Sequence, residues 1–380
     1  MRKWPSSLAA ALAVVALTVS TPGSAAAFGT IAGGGQNREH ERITRAALAC
    51  AADAASGADC FEPRTLDLLA GYGREFGAIG APDRDELSLP AAHCDNADFL
   101  AGEYPRTRDQ ATGAVADCVD QLRLRFREGV ESAGALLDGN GDVLPEQVDL
   151  AAPCNFTDAG DARAKCSVIE GLGRVLHGAQ DFYAHSNWAD APDPTRPVGV
   201  DNPPGMDLPG PSSVLDLRSS APPTVPPELT GGCYALRDQV PGVGECEGRI
   251  THAGLNKDRG LIDPVTGGAT QPTTPRGMVG DNFSKAVTGA IAESRRQWQD
   301  FRSELRERYG EEKAQTMICS LTHDDPSGEC QGQGRPWTTV LGLTVAIGFA
   351  VAVAAALVVR SRRRRARQVG TPAGGGPSGA

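Results

Sequence analysis

Histidine and aromatic side chains are scarce in this chain, with 6 histidines and 5% aromatics in 380 residues. Alternating β-branched runs are scarce as well. The period-two signature of half-buried strands is therefore missing, and the expected fold class is mainly α. No C-x-x-C pair occurs, which excludes a zinc ribbon. Neither G-x-S-x-G nor H-E-x-x-H occurs, and no glycine-rich loop is built to cradle phosphate. Serine-hydrolase, zincin and nucleotide-binding readings lose their support with those motifs. There is no internal repeat.

Basic charge is also short, with 37 Lys and Arg against 47 Asp and Glu and a net charge of −10. Eight of those bases, namely Arg2, Lys3 and six arginines from Arg360 to Arg367, sit at the two ends. Setting them aside leaves 29 bases against 47 acids, a net charge near −18 for the part between. So acidic a surface disfavours passive attraction to nucleic-acid backbones or anionic lipid. A bound divalent cation reverses that locally.

The ends explain where those bases go. "MRKWPSSLAAALAVVALTVSTPGSAAAFG" has two bases, an apolar stretch from Leu8 to Val19 and then small residues. It reads as a signal peptide over residues 1–27, with Ala25-Ala26-Ala27 suiting cleavage before Phe28. "WTTVLGLTVAIGFAVAVAAALVV", Trp337 to Val359, carries no charge over 23 residues. As a helix it spans about 34 Å, enough for a hydrocarbon core of about 30 Å. The arginines that follow mark the cytoplasmic side, and the glycine-rich remainder of 360–380 is expected to stay unfolded. The expectation is a single-pass cell-membrane protein with an ectodomain over 28–335 outside and its C-terminus in the cytoplasm.

All ten cysteines lie in the ectodomain, an even number in an exported chain, and so read as disulfides. Spacing does not prove connectivity. The expectation is that sequence neighbours pair: Cys50–Cys60, Cys94–Cys118, Cys154–Cys166, Cys233–Cys246 and Cys319–Cys330. Helical spacing of apolar residues appears in "EHERITRAALACAADA", in the long segment from Arg108, in "AKCSVIEGLGRVLHGAQDFYAHSNW" and in the long segment from Asn282, the last read as one long helix with room for a kink. Residues 192–227 are dense in proline, which excludes an interior helix and predicts a long surface loop insertion.

Two of the six histidines fall in one short stretch, "HGAQDFYAHSNW", four residues either side of Asp181. On a helix, His177, Asp181 and His185 share one face, within an arc of about 80°. They are either half of a metal cage or polar groups of a core network. His40 opens a predicted helix. His93 follows an acidic loop that also offers Asp83, Asp85, Asp95 and Asp98, and His252 has Asp258 nearby. Imidazole nitrogen together with carboxylate oxygen suits zinc. His323, in "THDDPSGEC", reads as solvated, and Tyr183 and Trp188 read as packing groups. "DGNGDVLPEQVD" places Asp138, Asn140 and Asp142 at alternate positions like a calcium loop, but Val143 stands where glycine is required, so an acidic turn is the plain reading.

"LGRVLHGAQDFYAHSNW" resembles the core motif of the Het-C family, named after fungal heterokaryon-incompatibility proteins. That family looks related to the zinc-dependent phospholipase C and single-strand nuclease superfamily. The resemblance implies one helical domain binding two or three Zn2+ in a cleft. It assigns as ligands Phe28 through a free terminal amine, His40, Asp83, His93, His177, Asp181, His185 and His252. Asp83, in "APDRD", also becomes the general base, with Asp85 as its competitor for that role. The sequence departs from the family pattern where His252 should be followed by an acid at 256; Asn256 stands there, so either Asp258 or Asp281 replaces that acid or the metal it would hold is absent. The implied activity is phosphodiester hydrolysis, with phospholipid favoured over nucleic acid as substrate. The alternative is a non-catalytic cell-surface or envelope protein with a reduced or structural metal site.

Overall fold

The computed structural model describes residues 28–331 apart from 34–35, 52–58, 158–159 and 235–243, together with residues 358 and 360. The expected signal peptide, all of the expected membrane helix but Val358 and all of the expected cytoplasmic tail but Arg360 lie outside the described residues. Among the described residues, no helix is long and apolar enough to cross a membrane.

The fold is mainly helical, as the scarcity of strand signals implies. Its α-helices in chain order are α1 (Glu39–Leu48), α2 (Pro63–Ala70), α3 (Pro82–Asp85), α4 (Arg108–Ser132), α5 (Pro145–Val148), α6 (Ala164–His185), α7 (His252–Leu255), α8 (Asn282–Tyr309), α9 (Glu311–Thr322) and α10 (Pro326–Glu329). The described strands form two small antiparallel pairs, Ala32–Gly33 with Gln36–Asn37 and Leu261–Ile262 with Ala269–Thr270. All five disulfides join sequence neighbours, as expected. Five disulfides and no free cysteine among the described residues mark a chain built for an oxidising compartment.

Helix α6 is the axis of the molecule, packed by α4, α8, α2, α9 and α1. Nearly all of its residues are buried, so it is not an amphipathic surface helix but one enclosed on every side. Glycines allow that enclosure. A Cβ on Gly173 would lie 2.5 Å from Ala78, and one on Gly178 would lie 2.6 Å from the Ala92 carbonyl oxygen. Both neighbouring segments therefore approach the α6 backbone where a side chain would stand. Helix α4 starts on a capping box in which the Thr107 hydroxyl and the Gln110 side chain each satisfy the other's backbone amide.

Two expectations need correction. The segment from Asn282 reads as one long helix but breaks at Gly310, whose φ of 80° is left-handed, so α8 and α9 are separate rods. The proline-dense segment 192–227 is loop, as expected, yet it is not confined to the surface. Val214, Leu215 and Leu217 are buried in the core, and Pro209 accepts a 2.9 Å hydrogen bond from the Trp188 indole. The segment straps α6 to α8. Beneath it, Glu293 of α8 accepts from the Tyr183 hydroxyl at 3.0 Å, the Ser212 amide at 2.9 Å and Gln297 at 2.7 Å, and pairs with Arg296.

Candidate metal centre

The four histidines outside α6 have no sequence relation to it, and the fold brings three of them to one stretch of its surface. His40 comes from the first turn of α1, His93 from a 3-10 turn over Pro90–His93, and His252 from the start of α7. His177, Asp181 and His185 meet them one helical turn apart. The expected common face is real, and it splits into two linked groups.

In the first group, the Asp181 carboxylate lies 3.2 Å from His40 Nε2, 3.1 Å from His93 Nδ1 and 3.1 Å from His177 Nε2. The His40 and His177 rings stack at 4.2 Å, and His93 Nδ1 is 3.0 Å from His177 Nε2. Asp83 stands beside them, with Oδ1 3.8 Å from His177 Nε2 and Oδ2 held by the Thr30 hydroxyl. In the second group, Asp95 Oδ1 lies 3.1 Å from His252 Nδ1 and 3.4 Å from His185 Nδ1, whose rings are 4.0 Å apart. All these side chains are buried except that of Asp83, which retains 11% exposure.

The hydrogen bonds behind the histidines fix which nitrogens carry lone pairs. His177 Nδ1 donates to the Ile79 carbonyl at 2.8 Å, so its Nε2 faces Asp181 with a lone pair when the ring is neutral. His40 is oriented through a relay from α8. The Ser294 hydroxyl donates to the Ala290 carbonyl, so it accepts from Gln180 Nε2 at 3.0 Å. That orients the Gln180 amide, with Oε1 2.8 Å from His40 Nδ1. His40 therefore donates through Nδ1 and presents Nε2 to Asp181. Two lone pairs aimed at one carboxylate repel unless a cation lies among them, either a proton or a metal ion. A ring nitrogen held by a carbonyl or amide oxygen while the other is presented inward is how proteins orient imidazole ligands.

The polar atoms left without partners tell the same story. His40 Nε2, His93 Nε2, both nitrogens of His185, His252 Nε2, Asp83 Oδ1 and Asp181 Oδ1 are buried and make no hydrogen bond. An unpaired buried polar group costs about 1–3 kcal/mol, so such a concentration calls for a ligand. Without metal, protons take its place. Burial opposes charge on His40, His93 and His252, but the surrounding carboxylates outweigh it and raise all three, His93 to about 9. Burial opposes charge on Asp181 and Asp95 too, but His177, His40 and His185 hold Asp181, and His252 and His185 hold Asp95, below the usual carboxylate range. His185 goes the other way, lowered by burial and by the charge on His252.

Of the residues expected at the site, His40, Asp83, His93, His177 and Asp181 share the first group, and His185 and His252 share the second. Phe28 is buried with its ring edge toward His40 at 5.7 Å. Asp85 is committed elsewhere, to a bidentate pair with Arg174 at 2.7 and 2.8 Å, which leaves Asp83 as the carboxylate at the centre. Asn256 donates to Asp258 at 2.8 Å, and burial pushes the Asp258 carboxyl up to about 8. His323 is a correction: it is buried rather than solvated, its Nδ1 3.1 Å from the Cys319 carbonyl. The nearby Cys319 and Cys330 are joined in a disulfide and offer no thiolate. In the acidic turn, Asp138 Oδ1 accepts the amides of Asn140 at 2.8 Å and Asp142 at 3.0 Å, closing the loop on itself.

Asp95 is the residue that sequence reasoning passed over as a ligand. Only two positions separate it from His93, yet the two side chains serve different groups. Cys94 and Asn96 have φ of 54° and 65°, a left-handed turn of the backbone that no side-chain periodicity announces. Searches of family models, of curated proteins and of solved structures give no match to this chain.

Proposed function

We propose that the chain is a zinc-dependent phosphodiester hydrolase, membrane-anchored with its ectodomain outside the cell, in the manner the Het-C resemblance implies. The phospholipase C and nuclease superfamily fold, two or three zinc ions, and phospholipid as the favoured substrate all belong to this proposal. The observation that carries it is the convergence of the His40 and His177 lone pairs on Asp181, each ring fixed from behind by an oxygen acceptor. His40, His93, His177, Asp181 and Asp83 would hold metal in one group, and Asp95, His185 and His252 in the other. A terminal amine at Phe28 would add a ligand beside His40 if cleavage falls before it.

When bound, zinc supplies Lewis acidity, which makes water ionise near neutral pH and draws charge from phosphoryl oxygens. The protein's own groups do the rest. Asp83 is the least buried carboxylate of the centre, with Oδ1 free of hydrogen bonds, so it accepts the proton of the attacking water. Gln180 and the Ile79 carbonyl keep His40 and His177 in the tautomers that present lone pairs inward. A membrane anchor and an acidic ectodomain favour a lipid phosphodiester over a nucleic-acid strand.

A purely structural metal site is the second reading, favoured by the complete burial of His177, Asp181 and His185. Elemental analysis and hydrolysis of bis(4-nitrophenyl) phosphate separate the two. The enzyme reading expects two or three zinc ions per chain and loss of turnover in His177→Ala with folding retained. Zinc present without turnover leaves the structural reading. A chain that takes up no zinc sinks both.

A further inference from the structure

The centre is closed on nearly every side, and the residues that are not fully closed show where it opens. Asp83 is one. Tyr234 is the other: its side chain is only partly buried, and its ring lies 5.4 Å from that of His252 at an interplanar angle of 54°. Its ring therefore sets a phenol, a hydrogen-bond donor, beside the group formed by Asp95, His185 and His252.

The backbone under Tyr234 is fixed rather than loose. Its amide donates to the Asn96 side chain at 2.8 Å, and the Asn96 amide donates back to the Gly232 carbonyl at 2.8 Å. Cys233, next to it, is tied to Cys246, donates to the Ile250 carbonyl and accepts from the His252 amide at 2.8 Å. One lock thus joins Tyr234, the loop bearing His93 and Asp95, and the helix start bearing His252. A partly exposed tyrosine whose backbone is held this firmly, with its ring against His252 of the buried centre, has the arrangement of a ligand donor.

We propose that Tyr234 is a substrate-binding residue whose hydroxyl donates a hydrogen bond to a phosphoryl oxygen entering the centre between Asp83 and His252. This rests on the reading of the centre as a zinc-dependent phosphodiesterase site. It names the group that recognises the anion once the metals have made the pocket positive. The surroundings agree: Asp83 and Asp95 can only accept, so a donor is needed for the phosphoryl oxygens that the metals do not take.

The test uses the full-length chain loaded with zinc and inorganic phosphate as the probe, followed by calorimetry and by zinc content. Tyr234→Phe keeps the ring against His252 and removes only the hydroxyl. Hydrogen bonds to charged groups are among the stronger ones, so phosphate binding is expected to weaken about tenfold or more, with zinc content unchanged. Turnover of bis(4-nitrophenyl) phosphate should fall mainly through KM. Unchanged phosphate affinity at normal zinc content overturns the role of Tyr234 and leaves the metal centre standing. A wild-type chain that binds neither zinc nor phosphate removes the reading of the centre, and the tyrosine proposal with it.

Discussion

The metal-free and zinc-loaded forms should respond to pH with opposite sign, and His93 is where the difference can be measured. Without metal, the hydrogen bond and charge of Asp181 raise His93 from 6.5 to about 9 despite burial. The unfolded imidazole titrates near the lower value. The stabilisation is therefore complete below pH 6.5 and is lost as pH rises through 9. A separation of that size is worth about 3 kcal/mol at 1.36 kcal/mol per unit, or roughly 6 °C in Tm for a domain of this size. Other groups titrate in the same range. Lys165 is pushed down to about 7, which adds stability as pH rises above that value, and Asp258, raised to about 8, removes stability up to it. The useful quantity is therefore the difference between wild type and His93→Gln. In EDTA that difference should shrink by about 3 kcal/mol between pH 6 and pH 9.5 in urea titrations. In zinc, protons compete with the metal for the same nitrogens, so the wild type should instead lose its advantage toward acid. A wild-type-minus-variant difference that ignores pH in EDTA would refute the assigned protonation. An identical slope with and without zinc would refute metal binding at His93.

Three other outcomes follow from the buried packing. Lys165, fully buried, donates to Thr65 Oγ1 at 3.0 Å and the His323 carbonyl at 2.7 Å; Lys165→Met should abolish a rise in stability of about 5 kcal/mol between pH 7 and 10.5, read by urea titration, and an undiminished rise would count against it. Gly173→Ala should cost about 1–3 kcal/mol by overpacking. Because it pushes the segment whose Ile79 carbonyl orients His177, it should also weaken zinc binding about tenfold in a chelator competition; unaltered zinc affinity would separate the backbone from the ligand. Replacing Cys94 and Cys118 together by serine opens a loop with a sequence separation of 24. That should cost about 3 kcal/mol and loosen metal at both groups, since His93 and Asp95 flank the lost crosslink; thermal unfolding and zinc content read the two effects.

Much of the centre was legible because α6 states its own geometry. His177, Asp181 and His185 are four residues apart in a segment otherwise apolar, and helical periodicity alone puts them together. Nothing of comparable strength marks the partners. His40 and His252 were legible only as rare residues accompanied by acids and through a family resemblance. Asp95 was legible only as one of several acids near His93 and was not singled out as a ligand, and Gln180 was not legible as part of the site at all. Gln180 reads as one more polar residue of a helix until Ser294, on a different helix, fixes the direction of its amide. The neighbouring-cysteine pairing held because each pair spans a short excursion from the helical core, whereas the break at Gly310 was hidden by helical spacing that continues on both sides of it. The burial of Val214, Leu215 and Leu217 was hidden by prolines, which report the absence of helix and say nothing about depth.

That contrast explains how the centre can be both deeply buried and chemically distinct. A helix enclosed on all faces has no solvent to satisfy its polar residues, so each must find a partner inside. Tyr183 finds Glu293, and Gln180 finds Thr44, Ser294 and His40. Each of those pairings supplies a donor for every acceptor. The groups around Asp181 and Asp95 do not, because they hold more lone pairs than protons can satisfy at neutral pH without charging several rings in one cavity. Protonating His252 puts positive charge beside His185, whose own pKa is driven down by burial and by that charge. A divalent ion in each group would relieve that conflict with the same side chains.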